Sequence, residues 1–499
     1  MQNIRTIKTI GSYQGGSANY IISMLACWKL NKVFVPLSVD HTESEINYFI
    51  EDSEIKLLLT STDKHRIKLP TAPTTVNVST INLTNANALN QEMYSEYCKE
   101  DNKIASNKDS AALVLYTSGT TGKPKGVLHS KKGLDLMIKA LSDYWKYDRN
   151  DKILHFLPLH HLHGVLNKLL CVLYAGGCID FIHSHRISTT AKETVPLHVL
   201  IWKILSSEYE QAPKQSYSLF MGVPTVYSRL LEETKIIANS GGKSKLNLSD
   251  VKNGIEVIKK MRLTVCGSAA LPDIVMEDWM KLTGHVLLER YGMTELGMCL
   301  SNPYNPISDR IKGHVGHPLA DYECVLVDDN GDIIKSIDAP GELRVRGPCM
   351  FLRYLNKESV TTESFDSNGY FITGDIASVN ADGNFKILGR KGTDIIKSAG
   401  YKLSALEIER ELLSHPAVSE AVVVGQQDAS MGEKVVAILS IRDGKQNINL
   451  KSIKEYLHDK LAYYKHPKEV FVVAQGAIPR NHLGKVNKKT IMKDLNLIS

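Results

Sequence analysis

The chain is 499 residues long, with 43% hydrophobic and 23% charged residues, a composition typical of a folded globular protein and not of a disordered chain. Its 60 basic and 54 acidic residues leave a formal net charge of +6, without the dense Lys/Arg tracts that bind nucleic acids or membrane surfaces. The absence of such tracts predicts no nucleic-acid partner. The eight cysteines contain no CxxC pair, which indicates free thiols in a reducing compartment, so we expect an intracellular protein.

The predicted elements of the first 388 residues alternate between strands and helices. An apolar stretch at 20–28 is too short for an integral membrane segment, and it predicts a helix around 20–30. Short apolar runs at 33–37, 55–59 and 111–116 predict strands. Beyond them, apolar runs alternate with helical patterns as in α/β layers, and the polar segment 236–258 predicts an insertion.

A second unit begins at Gly389-Arg390. Its predicted elements are a helix, two strands, a helix and a strand, at 404–414, 419–425, 434–441, 450–461 and 469–473. This α+β pattern has the size of a small domain. The sequence therefore predicts an α/β protein with a large multi-layer N-terminal body, residues 1–389, and a small mobile C-terminal domain, residues 390–499.

The strand at 111–116 leads into a loop rich in glycine and hydroxyl residues. The loop reads Tyr116-Thr117-Ser118-Gly119-Thr120-Thr121-Gly122-Lys123-Pro124-Lys125-Gly126. Its glycines free the backbone, so that successive N–H groups can point at one anion, and its hydroxyls and lysines add donors around a polyphosphate. The spacing is not that of a Walker A loop. We interpret it as a phosphate-binding loop, the alternative being a solvated turn.

This loop resembles the phosphate loop of the adenylate-forming superfamily, which includes acyl-CoA synthetases, peptide-synthetase adenylation domains and luciferases. Further matching motifs follow in the expected order. They are Tyr291-Gly292-Met293-Thr294-Glu295, the segment from Tyr370 to Asp375, the pair Gly389-Arg390, and the segment from Pro479 to Lys485. Together they cover most of the chain. The resemblance implies the adenylate-forming enzyme fold and an ATP-dependent acyl-CoA synthetase, with ATP, Mg²⁺ and CoA as its cofactor and substrates.

The resemblance also implies an ATP site that spans both units. The residues assigned to it are Thr117, Ser118, Gly119, Thr120, Thr121, Gly122, Lys123, Pro124, Lys125, Tyr291, Gly292, Met293, Thr294, Asp375, Arg390 and Lys485. Within this set Tyr291 would stack on the adenine, while Asp375 and Arg390 would hold the ribose.

Lys485, Glu295 and Thr294 are the implied catalytic residues. In adenylation a carboxylate attacks the α-phosphate of ATP, so fixed cations at the developing charge are the main catalytic resource. Lys485 would neutralise the carboxylate and bridge phosphate oxygens, the alternative being a solvated lysine in a basic tail. Glu295 would bind Mg²⁺, a hard cation that prefers carboxylate oxygen.

The second half-reaction transfers the acyl group to CoA. The resemblance implies that the small domain swings after adenylation and presents Ser398, Ala399, Gly400 and Tyr401 to the pantetheine of CoA. Gly392 follows Arg390 where relatives commonly carry an Asp or Lys hinge. We expect a glycine to absorb the dihedral change there.

Three clusters of residues narrow the choice of acid substrate. They are 157–164, which contains three histidines, 266–272, and Glu289-Arg290. A guanidinium beside an acyl pocket is costly unless an anion pairs with it, and a second substrate carboxylate would be such an anion. The clusters resemble malonyl-CoA synthetases, and on that resemblance His160, Ser268 and Arg290 would bind the distal carboxylate. The alternatives are a salt bridge from Arg290 to Glu289 or another acid, and a zinc site at the histidines.

The function predicted is ligation of malonate, with methylmalonate as a further acid, to CoA. A short- or medium-chain monocarboxylate synthetase and a non-catalytic nucleotide- or acyl-CoA-binding protein stay open as alternatives. The resemblance to the family begins inside what is normally the first subdomain of the body. A further interpretation is therefore that the N-terminus is truncated. No targeting peptide is legible, and both the mitochondrial matrix and the cytoplasm fit. The sequence does not determine the oligomeric state.

Overall fold

The computed structural model describes residues 8–60, 79–82, 110–117, 123–182, 195–211, 215–240, 245–319, 321–442, 448–480 and 486–498. Its helices are α1 (Ala18–Lys29), α2 (Glu43–Asp52), α3 (Lys131–Tyr144), a π-helix (His163–Leu170) continued by α4 (Cys171–Tyr174), α5 (Leu197–Gln211), α6 (Pro224–Ser240), α7 (Leu248–Lys259), α8 (Asp273–Thr283), α9 (Glu358–Glu363), α10 (Ala405–Leu413), α11 (Leu450–Leu457) and α12 (Lys488–Asp494).

The strands of the same ranges are assigned to four sheets. In chain order they are β1 (Thr9–Tyr13), β2 (Val33–Leu37), β3 (Leu57–Thr60), β4 (Ser79–Asn82), β5 (Ala111–Thr117), β6 (Lys125–Ser130), β7 (Lys152–His155), β8 (Cys178–Phe181), β9 (Leu219–Gly222), β10 (Leu263–Gly267), β11 (Leu288–Met293), β12 (Gly297–Ser301), β13 (His317–Pro318), β14 (Glu323–Val327), β15 (Gly341–Arg346), β16 (Arg353–Tyr354), β17 (Phe371–Val379), β18 (Phe385–Arg390), β19 (Ile395–Ser398), β20 (Tyr401–Ser404), β21 (Val418–Asp428), β22 (Gly432–Ile441) and β23 (Glu469–Val473).

Two seven-stranded sheets form the body. The first has the order β16-β6-β5-β2-β1-β3-β4, and the second has the order β13-β12-β11-β10-β9-β7-β8. The strands β8, β7, β9, β10 and β11 run parallel, so their carboxyl ends meet at one edge. Parallel strands read as short apolar runs because both of their faces are covered, and β9 and β10 are buried throughout.

The body is layered around one large core between the two sheets. This core joins Phe34 and Leu113 of the first sheet to Val265 and Leu288 of the second, with α1, α3 and the π-helix packed between them. A second core covers the opposite face of the second sheet with α5 to α8, and a third covers the outer face of the first sheet with α2. This layering confirms the predicted α/β fold class.

The predicted polar insertion at 236–258 was wrong for the part of it that the structure describes. Most of α7 lies in that segment, and its Val251, Val257 and Ile258 are buried in the second core. Asn247 and Asp250 form a capping box that starts the helix. The segment looked polar because only one face of a surface helix is apolar, at the 3.6-residue period.

The remaining strands form two smaller sheets. One is the antiparallel sheet β14-β15-β17-β18. The other joins β20, β19, β22 and β21, with β23 parallel to β22, and it is covered by apolar clusters on both of its faces. The predicted elements of the second unit are confirmed, with the hairpin β19–β20 as an addition. Among the helices described, none combines the length and apolar character needed to cross a bilayer.

Candidate active site

Both flanks of the predicted phosphate loop are held by the hairpin β5–β6. Thr117 and Lys125 are directly paired across it, and the Tyr48 hydroxyl donates to the carbonyl of Pro124 at 2.7 Å. Lys123 is exposed, with its ammonium 5.2 Å from the ring centre of Tyr48. The loop residues Ser118, Gly119, Thr120, Thr121 and Gly122 lie outside the described ranges. The described flanks therefore present two lysines at one end of the first sheet.

A tyrosine connects this loop to Glu295. The ammonium of Lys125 lies 4.2 Å from the ring centre of Tyr354, and the Tyr354 hydroxyl donates to Glu295 Oε1 at 2.7 Å. Tyr354 reaches this position because β16 pairs with β6. Glu295 itself is buried, and a carboxylate is the type of ligand that a hard cation prefers.

The segment Tyr291-Gly292-Met293-Thr294-Glu295 forms the end of β11 and the turn into β12. The pairing of these strands shifts between Tyr291 and Gly292. A Cβ on Gly292 would lie 2.0 Å from the carbonyl oxygen of Gly297, so only glycine fits there. Met293 and Thr294 are half-buried at the turn, and the motif brings the buried Glu295 to the same end of the sheets as the loop.

Tyr291, Asp375 and Arg390 form one hydrogen-bonded group. The Tyr291 hydroxyl donates to Asp375 Oδ2 at 2.5 Å, and Arg390 Nε lies 3.0 Å from Asp375 Oδ1. Asp375 and Arg390 meet because they are paired across β17 and β18. The structure therefore brings together the three residues that sequence reasoning assigned to the adenine and the ribose.

Arg290 is a buried cation beside Ser268. It is 3% exposed, and its Nη2 donates to Ser268 Oγ at 3.4 Å. Within the described ranges its Nε has no hydrogen-bond partner, and no carboxylate lies within 4 Å of the guanidinium. Burial lowers the pKa of Arg290 to about 10. An arginine in this state is prepared to bind an anion that enters the site.

The proposed alternative of an Arg290–Glu289 salt bridge is not what the structure contains. Neighbouring strand residues point to opposite faces of a sheet, and Glu289 Oε1 accepts from the Gly313 N–H at 3.2 Å on the far face. Burial raises the pKa of Glu289 to about 7, although Arg410 acts in the opposite direction.

His163 is the histidine that contacts Ser268. Its Nδ1 lies 3.3 Å from Ser268 Oγ, and burial, followed by Arg290 and Lys168, lowers its pKa well below the ordinary value. His160 packs instead against His161 and His41, with ring centres 4.1 and 5.0 Å apart. The sequence analysis did not select His163. Its position three residues after His160, in the same motif, was the signal that could have identified it.

The cleft that His160 and His161 line also includes residues from the loop flanks. It lies between Pro36, His41, Glu45, Phe49, Tyr116, Thr117, Pro124 and both histidines. The described residues contain no group of three or more His, Cys, Asp or Glu side chains arranged to hold a metal ion.

The predicted CoA segment is the turn of the hairpin β19–β20. Ala399 and Gly400 both have positive φ, +48° and +84°, as a tight two-residue hairpin turn requires. Ser398 is buried, while the half-exposed ring of Tyr401 stacks on Tyr464 at 4.3 Å and 9°. The turn projects an aromatic surface from the small sheet.

Lys485 lies outside the described ranges, but its neighbour Lys488 does not belong to a solvated tail. The Lys488 ammonium is 2.6 Å from Asp394 Oδ1 and 2.9 Å from Glu409 Oε1, and both carboxylates are largely buried. This buried group ties α12 to the start of β19, four residues beyond Arg390.

Comparisons with known proteins cover both parts of the chain. The family model described as AMP-binding enzyme matches residues 2–355, and the model described as AMP-binding enzyme C-terminal domain matches residues 407–485. The chain is 36% identical over 497 residues to the mitochondrial malonate–CoA ligase ACSF3 of Xenopus laevis, covering 95% of this chain and 81% of that one. It is 37% identical over 504 residues to a malonate–CoA ligase of Arabidopsis thaliana, covering 97% and 78%.

A solved structure supports the same comparison. The ATP-bound MatB from Rhodopseudomonas palustris matches with a TM-score of 0.79 and 30% sequence identity, covering 98% of this chain and 90% of that one. The matches therefore extend over both the layered body and the smaller unit.

Proposed function

This chain belongs to the family of AMP-binding enzymes, and we propose that it is an AMP-forming acid–CoA ligase whose acid is malonate. It uses ATP, Mg²⁺ and CoA. The two relatives described above are malonate–CoA ligases by name, and MatB binds ATP. The observation that carries the choice of acid is the buried Arg290, which has no carboxylate partner among the described residues.

The reaction has two steps, adenylation of the acid and transfer of the acyl group to CoA. The acid carboxylate attacks the α-phosphate of ATP, which forms the acyl-adenylate and releases pyrophosphate. The CoA thiol then loses its proton and attacks the acyl carbonyl, so that a thioester forms and AMP leaves. Bound Mg²⁺ would offset phosphate charge, and Glu295 is the carboxylate that would hold it.

The chain's own residues supply the binding and the orientation. Asp375 accepts ribose hydroxyls while Arg390 keeps its carboxylate in place. Lys123, Lys125 and the loop between Thr117 and Lys123 surround the phosphates, and Lys485 neutralises the attacking carboxylate. We place the boundary between the two domains at Arg390, where β18 ends, and assign the Ser398–Tyr401 turn to pantetheine.

Selectivity for a dicarboxylic acid follows from the Arg290 environment. A buried guanidinium without a counter-ion is costly, and a distal carboxylate relieves that cost through charge-assisted hydrogen bonds. Ser268 and His163 border the same guanidinium and orient the bound carboxylate. A monocarboxylate would leave the cation unpaired, so its transition state would be less stable.

The test is pyrophosphate release by the purified protein with ATP, Mg²⁺ and CoA, across acetate, butyrate, octanoate, malonate, methylmalonate and succinate. We expect malonate to be preferred and Arg290→Met to lower kcat/KM for malonate by about 100-fold, the loss expected for two charge-assisted hydrogen bonds. Arg310→Met is the matched control, since Arg310 is also buried but donates to backbone carbonyls away from the site.

The outcomes separate the alternatives. A preference for butyrate or octanoate that survives Arg290→Met would replace malonate by a monocarboxylate. No release with any acid, from protein that is folded by circular dichroism, would favour the non-catalytic alternative.

Of the two compartments that the sequence left open, we propose the mitochondrial one. The support is the mitochondrial designation of the Xenopus relative. Fractionation of source cells with an antibody to this protein tests it, and recovery in the cytosolic fraction alone would contradict it.

A further inference from the structure

Lys168 is a lysine in the core of the body. It is 0% exposed, its ammonium donates to the carbonyl of Met221 at 2.9 Å, and it lies 3.4 Å from the ring centre of Phe156. No carboxylate lies within 4 Å of it in the part of the chain that the structure describes. One carbonyl and one aromatic face compensate only partly for the loss of water around a charged group. If the side chain at position 168 served only to fill space, methionine would be more stable there than lysine.

The π-helix places Lys168 and His163 on one side of the helix. They are five residues apart, and in a π-helix residue i+5 bonds back to residue i. In an α-helix the same offset would separate the two side chains by about 140°. Burial lowers the pKa of His163, and the charges of Arg290 and Lys168 act in the same direction, so both cations lie within electrostatic range of this ring.

The second sheet sets the distance between the two cations. The Arg290 guanidinium lies over Gly267 of β10, where a Cβ would be 2.8 Å from its Cζ. The Lys168 ammonium is bonded to Met221 of β9, the strand next to β10. Met221 pairs with Val265, two residues before Gly267, so the two anchoring positions are offset by one strand spacing of about 4.8 Å and by two residues of about 3.3 Å each, or about 8 Å in all. The two oxygens of one carboxylate can each contact one of two cations at that separation.

Polar atoms around this space lack partners. Arg290 Nε and His163 Nε2 are both buried and make no hydrogen bond within the described ranges. Such atoms are few in folded proteins and their presence calls for a ligand or a bound water. Both side chains also contact Ser268 Oγ, through His163 Nδ1 and Arg290 Nη2, so this space offers polar groups to a polar ligand.

We propose that Lys168 is a second specificity-determining cation of the acid site, which binds the distal carboxylate of a dicarboxylic acid together with Arg290. This inference rests on the function proposed above and deepens it. Burial lowers the pKa of the Lys168 amine well below its ordinary value. A bound carboxylate favours the ammonium form, and two cations favour a dianionic acid more than one cation does.

The experiment compares Lys168→Met with the wild type. Methionine keeps the volume of the side chain and removes the amine. We measure kcat/KM for malonate and for butyrate by pyrophosphate release, and we expect the malonate value to fall roughly 10- to 100-fold, as one charge-assisted interaction predicts, while the butyrate value stays within about twofold. The melting temperature is expected to stay the same or to rise, because a buried uncompensated polar head has been removed.

Lys152→Met is the matched control. Lys152 is also a largely buried lysine of the second sheet, but it pairs with Glu208 and Asp180 away from the acid site. Its removal should lower the melting temperature and leave the ratio of malonate to butyrate activity unchanged. If Lys168→Met does not fold, Lys168→Gln is measured in the same way, and the same ratio decides.

The possible failures are distinguishable. Equal losses for both acids, or no loss for either, would overturn the role of Lys168, while sensitivity of malonate activity to Arg290→Met would preserve the proposed function. A wild type that activates no dicarboxylate would overturn both proposals.

Discussion

At the scale of single residues, the alternation of a β-strand separates two adjacent charges. Glu289 and Arg290 would form a salt bridge if only sequence distance mattered, yet β11 directs them to opposite faces of the sheet. Arg290 faces Ser268, whereas Glu289 contacts the Gly313 N–H. The two charges therefore lie in separate environments, and the recognition of the acid that we propose for Arg290 does not involve Glu289.

Glu289 makes stability depend on pH. Its pKa is about 7 in the folded chain, raised from 4.5 by burial, so the folded state holds its proton more tightly than the unfolded state. The resulting stabilisation is complete below pH 4.5 and is lost as the pH rises through 7, a difference of about 3 kcal/mol. We expect Glu289→Gln to flatten the melting temperature between pH 5 and 8, so that the variant melts above the wild type at pH 8.

Melting curves at pH 5, 6, 7 and 8 check this prediction. Glu256→Gln is the control, because Glu256 is a partly exposed helix residue paired with Lys259, and its curve should parallel that of the wild type. Parallel curves for Glu289→Gln as well would contradict the assigned pKa.

At the scale of elements, close helix packing explains a glycine in the middle of α7. A Cβ on Gly254 would lie 2.6 Å from Cε3 of Trp202 in α5, and that indole is fully buried. Replacement of glycine by alanine favours a helix interior by about 1 kcal/mol, while overpacking of a core costs about 1–3 kcal/mol. Because the rigid ring cannot move aside, we expect overpacking to dominate.

Gly254→Ala is therefore expected to lower the melting temperature. Lys252→Ala, at an exposed position of the same helix, should leave it unchanged or raise it slightly, since alanine is the better helix former. A gain in stability for Gly254→Ala would mean that α5 and α7 move apart at little cost.

The elements also show how much of the fold the sequence predicts. Apolar runs predicted β2, β3 and β5 to within two residues at either end, because a short buried strand is a local compositional signal. The π-helix was not predicted. Gly164, at its first turn, would place a Cβ 2.2 Å from the carbonyl of Pro158, so the wide turn depends on packing against a preceding loop that periodicity does not describe.

At the scale of the whole molecule, the nucleotide site that we propose lies between the two parts of the chain. The Tyr291–Asp375–Arg390 group lies where the body ends and the smaller unit begins, and Arg410 of α10 approaches the carbonyl of Gly313 at 3.4 Å. A ligand that binds only the native state stabilises it by about 2.7 kcal/mol at a hundredfold excess over its Kd. We expect Mg²⁺-ATP to raise the melting temperature of the wild type.

Asp375→Ala should lose most of that rise, because it removes the proposed partner of the ribose hydroxyls. Asp329→Ala is the control, since Asp329 is an exposed carboxylate paired with Lys402, and it should keep the full rise. Melting curves with and without Mg²⁺-ATP make the comparison. A full rise in Asp375→Ala would place the nucleotide elsewhere.

By itself the sequence determined the division into an α/β body and a smaller α+β unit, the strand that leads into the predicted phosphate loop, and Arg290 as a candidate for binding a second substrate carboxylate. Strand patterns, turn residues and motif order are local properties, so they can be recognised without knowledge of the fold. Only the tertiary structure decided that His163 contacts Ser268, that Glu289 accepts from the Gly313 N–H, and that Lys168 is buried over the neighbouring strand. These facts depend on contacts between elements that are distant along the chain, and packing in three dimensions selects them.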